Sequence, residues 1–175
     1  MIVAGAMAHA APCVTVIEDA PWSPNDPSRD GAAEFGVMLR IAKLQADSST
    51  VGIVGVGDKR GVFQEGTRRG LEMAVQHGVP VVRLARGMRA CLKSADKNAD
   101  DLFIDGGLLT PEAASALLTE CLARHGTLPC VRATGTSPAA SELAQLRQKL
   151  QLYQAEFSAH QPELVAVDNS NSHSS

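Results

Sequence analysis

The chain has 175 residues and a mass of 18.4 kDa, enough for one domain but too little for two catalytic domains. Hydrophobic residues make up 45% of it and charged residues 20%, a balance that excludes disorder for most of the chain. A net charge of −3 and only 3% aromatic residues argue against a nucleic-acid groove, which needs cations and stacking rings. The sequence has no apolar run of about 18 residues, so we expect no membrane contact.

The spacing of the cysteines favours free thiols over a metal site or a disulfide framework. They form no C-x-x-C pair and no zinc spacing, which predicts free thiols, no metal and a reducing cytoplasmic location. Met1 to Pro12 is small and apolar but has no basic start, so we interpret it as part of the fold or a frayed end, not a secretory signal. The four cysteines are Cys13, Cys91, Cys121 and Cys130.

The first half of the chain predicts two strands around one helix. Cys13 to Ile17 is a β-branched run, and the three prolines that follow predict a long loop. Gly31 to Ala46 has the apolar period of an amphipathic helix. Val51 to Val56 is a continuous apolar run, typical of a strand buried on both faces of a parallel sheet. The apolar stripe of the helix consists of Phe35, Met38, Leu39, Ala42 and Ala46.

Two more strand-and-helix units follow. Gln64 to His77 predicts a helix that ends at Gly78, and Val79 to Leu84 predicts a strand. Leu102 to Ile104 is short enough for an edge strand. Thr110-Pro111-Glu112 then opens a helix, with Thr110 as its N-cap and Pro111 in its first turn, and Gly126 ends it.

This alternation predicts an α/β fold, a small Rossmann-like parallel sheet of about four strands covered by helices. We assign residues 1–129 to this domain. Residues 130–162 form an appended amphipathic helix that starts at Ser137-Pro138, and residues 163–175 form a polar tail that we expect to be disordered.

The appended helix carries apolar residues at alternating steps of three and four. Such a seam is a docking face, either for the chain's own domain or for a second copy of it, and the sequence leaves both alternatives open. The candidate oligomer contacts are Leu143, Leu146, Leu150, Tyr153 and Phe157.

Ligands of open parallel sheets bind beyond the carboxyl ends of the strands. Charged residues follow each predicted strand here, beginning with Glu18-Asp19. They could pair with one another, or they could hold a zwitterion such as a small amino acid. The ligand-binding candidates are Gly55, Gly57, Asp58, Lys59, Arg60, Arg83, Arg86 and Asp105.

Cofactor and catalytic motifs are missing. The segment G-V-G-D-K-R-G after the second strand differs from G-x-G-x-x-G by one residue and carries an acid that would repel phosphate. The sequence contains no Walker-type phosphate loop, no serine nucleophile elbow and no H-E-x-x-H helix. We therefore expect no cofactor, and we assign no catalytic residue.

Three segments, in order, resemble the C-terminal domain of the bacterial-type L-asparaginase/glutaminase family. Val51 to Arg60 resembles the family strand that ends in G-x-G-N-G-[NS]. His77 to Arg86 resembles its G-x-x-V-V-R-S-S-R strand. Asp100 to Leu118 resembles its D-D…G-F-V-A-S-G-x-L-N-P-Q-K-A-R-x-L-L segment. The resemblance covers about residues 13 to 126 and implies the family's α/β C-terminal domain.

The family's catalytic threonines lie in T-G-G-T-I-A and H-G-T-D-T motifs of an N-terminal domain, and this chain has neither motif. The resemblance therefore implies an asparaginase-like domain that is not catalytic alone. Its partners would be a second copy in a homo-oligomer or a separate catalytic subunit. The alternative is a regulatory domain that binds a small amino acid or a nucleotide.

Overall fold

The structure, a computed structural model, describes residues 11–19, 29–47, 51–87, 102–131 and 140–162. The predicted proline-rich loop, the Ser137-Pro138 helix start and the polar tail lie outside these residues. The predicted order of elements is confirmed. The elements are β1 (Cys13–Glu18), α1 (Arg29–Asp47), β2 (Val51–Val56), α2 (Glu65–Gln76), β3 (Val81–Leu84), β4 (Ile104–Asp105), α3 (Pro111–His125) and α4 (Ala140–Ala159).

The four strands form one parallel sheet in the order β1-β2-β3-β4. Every residue of β2 is buried, as its continuous apolar run predicts. In register, Cys13 pairs with Val51, Ile53 with Val81 and Val82 with Ile104. All carboxyl ends therefore meet at one edge, which confirms the α/β parallel-sheet prediction.

Two glycines of β2 show that helices cover both faces of the sheet. A Cβ added at Gly52 would lie 2.8 Å from a methyl carbon of Leu118 in α3, whereas one added at Gly55 would lie 2.8 Å from the ring of Phe63. Because residues three apart in a strand point to opposite faces, α3 covers one face, and the Phe63 loop with α2 covers the other. Both helices approach this closely because glycine has no side chain.

The buried face of α1 differs from the predicted stripe. Val37 and Ile41 are buried, whereas Phe35 is 69% and Leu39 45% exposed. Val37 packs closely on Gly70 of α2, where an added Cβ would lie 2.9 Å from the Cβ of Val37. The buried side of α1 is therefore the side that contacts α2, and Phe35 and Leu39 lie outside it.

Sequence signals at the ends of α2 and α3 are confirmed. The Thr110 hydroxyl accepts a hydrogen bond from the Ala113 N–H at 3.2 Å, and Pro111 stands in the first turn. Gly78 and Gly126 have φ values of +89° and +73°, a region that residues with a side chain rarely adopt. These caps fix where β3 and the segment after α3 begin.

The seam of α4 packs inside this chain. Leu146, Leu150, Tyr153 and Phe157 are buried in the same core as the sheet, and Leu143 is packed against it. The Tyr153 hydroxyl also donates to the Gly126 carbonyl at the end of α3. Four of the five candidates are therefore buried within this chain, and Leu143 is partly buried.

Gln154 of α4, together with Gln161, which follows that helix, binds the backbone at the end of β4 and just after it. The Gln154 amide accepts from Asp105 N–H at 2.8 Å and donates to the Asp105 carbonyl at 3.2 Å. The Gln161 amide accepts from Leu108 N–H at 2.8 Å and donates to the Gly106 carbonyl at 3.1 Å. Each side-chain amide thus takes the place of a neighbouring strand and satisfies backbone groups that an edge strand would expose.

Charged residues join α3 to α4 on the outside of this contact. A Glu156 oxygen lies 2.6 Å from Arg124 Nη1 and 3.1 Å from His125 Nε2. The hydrogen bond from Arg124, followed by that from His125, lowers the pKa of the Glu156 carboxyl. Folding therefore stabilises the ionised form of the Glu156 carboxyl.

Replacing Glu156 by Gln should reduce stability at neutral pH but not in acid. Because the pKa of Glu156 is lowered on folding, its contribution is complete above the ordinary value of 4.5 and is lost as the pH falls through the folded-state pKa. The urea midpoints of wild type and Glu156→Gln should therefore converge as the pH falls through the lowered pKa of Glu156. Glu18→Gln is the control, and a difference between midpoints that does not change with pH would contradict this role.

Candidate functional site

Two of the predicted ligand-binding segments meet at the carboxyl edge of the sheet, beside Asp19. We call this group the rim: Asp19 after β1, Gly57 to Arg60 after β2, and Arg86 after β3. The Gly57 N–H donates to the Leu84 carbonyl at 2.9 Å, and the Arg86 N–H donates to the Asp58 carbonyl at 2.8 Å. The loops after β2 and β3 are therefore hydrogen-bonded to each other.

Asp58 organises the loop after β2. Its Oδ1 accepts from the backbone N–H groups of Arg60 and Val62, at 2.8 and 2.9 Å. Partial burial raises its pKa, but these two hydrogen bonds and the nearby arginines outweigh that effect, so the pKa is lowered. The carboxylate remains ionised and occupied by its own loop, in which Gly61 has a φ of +76°.

Arg86 ties the first strand into the rim. Its guanidinium donates to the Asp19 carbonyl, and its backbone N–H binds the Asp58 loop. This arginine thus bridges the ends of β1 and β2 from a position after β3. Its contacts here are to backbone oxygens within the chain.

Asp19 is the buried acid of the rim and was not among the predicted ligand-binding residues. It is 8% exposed; its Oδ2 accepts from Gln64 N–H at 2.6 Å and its Oδ1 from the Thr67 hydroxyl at 2.8 Å. Gln64 immediately precedes α2, so a residue 45 positions away in sequence caps that helix. An acid directly after a strand was the available signal, but its partner is set by the tertiary fold.

The remaining candidates do not join this group. Gly55 lies within β2 against Phe63, and Arg83 lies within β3, in register with Asp105 of β4. Asp105 Oδ1 accepts from Gly107 N–H at 2.9 Å, while its backbone is held by Gln154. The rim therefore contains five of the eight predicted residues, Gly57, Asp58, Lys59, Arg60 and Arg86, and the other three lie at paired positions of β2, β3 and β4.

The pair of Thr67 and Asp19 has the composition of a nucleophile beside a base, yet it is closed to substrate. Thr67 is 4% exposed, and both carboxylate oxygens of Asp19 are already hydrogen-bonded within the chain. Acyl transfer also needs donors for the developing oxyanion, and the Gln64 N–H beside this pair is already used by Asp19. The geometry is that of a helix cap.

A cavity of about 170 Å³ lies at the amino end of the sheet, away from the rim. His77 and Cys130 line it, and His77 Nδ1 lies 2.7 Å from the Met73 carbonyl. Small-molecule sites occupy about 300 to 1,000 Å³, so this cavity is smaller than a typical ligand pocket. Gln45, Val51, Gly78, Val79, Thr127 and Leu128 complete its lining.

The cysteines that the structure describes are free thiols, as predicted: Cys13, Cys121 and Cys130. Burial raises the pKa of the Cys121 thiol to about 11, so it remains protonated. Cys91 lies outside the described residues. Within the described ranges, no group of three or more His, Cys, Asp and Glu residues could hold a metal ion, and no helix is long and apolar enough to cross a membrane.

The sequence matches no protein-family model and no curated protein. Among solved structures, the chain is similar to a probable cytoplasmic L-asparaginase from Campylobacter jejuni, with a TM-score of 0.51 and 19% sequence identity. The protein has an asparaginase-like α/β fold. The similarity covers 85% of this chain but only 37% of that asparaginase. At this identity the comparison shows the fold and carries no catalytic residue across.

Proposed function

We propose that this chain is a non-catalytic asparaginase-like domain that acts as an association module or as one part of a split or truncated amidohydrolase. The main support for this proposal is the hydrogen bonding of the rim. At the edge where an α/β sheet would present catalytic groups, the carboxylates of Asp19 and Asp58 accept hydrogen bonds from within the chain. Both carboxylates of the rim thus hold loops and a helix together.

The length of the structural relative supports the same proposal. The chain spans 37% of the C. jejuni asparaginase, so most of that enzyme has no counterpart here. The threonine motifs that the family uses for catalysis are also absent from the sequence. An asparaginase-like activity would then need residues from outside this sequence.

The purified full chain should release no ammonia from L-asparagine or L-glutamine. A coupled glutamate dehydrogenase assay measures ammonia release directly. The Thr67→Val variant tests whether any activity depends on the buried pair of Thr67 and Asp19. Turnover that copurifies with the chain, scales with its concentration and is lost in Thr67→Val would contradict the proposal, because it would make Thr67 a nucleophile.

The association role needs a second measurement. The probe is the part of the C. jejuni L-asparaginase that this chain does not span, mixed with the full chain and followed by light scattering and ammonia release. A complex with raised activity supports the module. Absence of a complex together with a thermal shift by asparagine or aspartate would favour the small-ligand alternative instead, for which the exposed cations Lys59, Arg60 and Arg86 are the candidates.

A further inference from the structure

The tertiary structure brings Cys130 and His77 together at the amino end of the sheet. Two backbone hydrogen bonds, at 3.0 and 2.9 Å, join the segment 128–131 to the segment 76–78, and each bond involves the outer residues of both segments. Cys130 lies between these bonds on the first segment, and His77 lies between them on the second. Both side chains are exposed, and both line the cavity of about 170 Å³.

The sulfur of Cys130 lies against the backbone of the residue that follows His77. A Cβ added at Gly78 would lie 3.2 Å from Cys130 Sγ and 2.8 Å from the Leu128 carbonyl oxygen. Gly78 also has a φ of +89°, which disfavours any residue with a side chain. Glycine therefore keeps this position open for the sulfur.

A hydrogen bond of His77 determines which of its ring nitrogens is the base. His77 Nδ1 lies 2.7 Å from the Met73 carbonyl oxygen, and a carbonyl oxygen only accepts hydrogen bonds. Nδ1 therefore carries the hydrogen and donates it to Met73, and the lone pair of the neutral ring is on Nε2. The backbone contact fixes the tautomer that a histidine base needs.

We propose that Cys130 is a site of thiol–disulfide exchange with small disulfides, in which His77 Nε2 accepts the thiol proton. The Cys130 sulfur attacks one sulfur of the disulfide, so that a new S–S bond forms and the S–S bond of the reagent breaks. The thiolate that leaves takes the proton from His77. The products are a mixed disulfide on Cys130 and one free small thiol, and the disulfide itself is the oxidant.

The cavity limits the size of the group that Cys130 receives. Its volume of about 170 Å³ has room for about five or six water molecules. A short fragment such as cysteamine fits this space, whereas a tripeptide such as glutathione does not. Exchange needs a thiolate and access but no oxyanion donors, which acyl transfer would need. The inference concerns the end of the sheet opposite the rim and does not rest on the proposed function.

Labelling of the full chain with cystamine, followed by mass spectrometry of its cysteine peptides, tests the role of His77. The His77→Gln variant should label Cys130 at least tenfold more slowly and Cys13 at the wild-type rate, with circular dichroism confirming that the fold is retained. His160→Gln is the matched control, because His160 Nδ1 lies 2.7 Å from the Glu156 carbonyl oxygen in the same way but does not line the cavity. Equal rates at Cys130 in wild type and His77→Gln would overturn the proposal.

The wild-type chain provides a second test that needs no substitution. Cystamine should label Cys130 at least tenfold faster in the folded chain than in the chain unfolded by urea, because unfolding separates Cys130 from His77. Oxidised glutathione should gain less from folding, because its larger half does not enter the cavity. Labelling by cystamine that is no faster in the folded chain, or an equal gain with both reagents, would contradict the proposed site.

Discussion

We expect Phe157→Ala to lower the free energy of unfolding by about 3 to 5 kcal/mol. Phe157 is fully buried where α4 packs on the rest of the core, and truncation leaves a cavity that the packed sheet cannot fill by collapsing. The same helix holds the end of β4 through Gln154, so loosening α4 also exposes the backbone of an edge strand. Urea unfolding monitored by circular dichroism measures the change.

Leu152→Ala is the matched control for this variant. Leu152 lies on the same helix but is 47% exposed, so its truncation should change the free energy of unfolding by less than about 1 kcal/mol. A Phe157→Ala loss no larger than the Leu152→Ala loss would mean that α4 is dispensable for the core. The candidate oligomer contacts on α4 would then be available to a second copy after all.

The second large effect is expected for Asp19→Ala, a loss of about 2 to 4 kcal/mol. The substitution leaves the Gln64 N–H and the Thr67 hydroxyl, both at the start of α2, without their acceptor. Their desolvation is not recovered, because Thr67 is almost fully buried. Thermal and urea unfolding measure the change, and Glu18→Ala, at the exposed neighbouring position, is the control.

Asp19→Asn distinguishes the two possible roles of this acid. An amide keeps one oxygen acceptor, so the Asn variant should recover part of the stability that the Ala variant loses. If Asp19 served chemistry rather than the fold, both variants would be as stable as wild type. That result would remove the main support for a non-catalytic rim.

The helices show how far sequence reasoning reaches. For α3, the N-cap Thr110, Pro111 in the first turn and Gly126 at the end act through local backbone geometry, so its bounds could be predicted. For α1 the period was right but the buried face was wrong. Apolar residues occur around much of that helix, and the buried side, with Val37 and Ile41, depends on contact with another helix, where Val37 packs on Gly70.

The rim, too, could be predicted from the sequence only in part. The sequence placed acids and arginines after the strands, and the parallel sheet brought Asp58 and Arg86 together as expected. Gly55, Arg83 and Asp105 instead form one row across β2, β3 and β4, because they belong to the strands themselves and not to the loops that follow them. The use of Asp19 as a cap for α2 depends on a contact across 45 residues, which no local pattern encodes.

The sequence by itself determined the fold class, the order of strands and helices, and the absence of the family's threonine motifs, since each depends on local composition or on short motifs. The tertiary structure decided which faces are buried, that the α4 seam packs within the chain, and that the rim carboxylates are occupied. These features depend on side chains brought together from distant positions, and their hydrogen bonds and packing are fixed only when the sheet and its helices assemble.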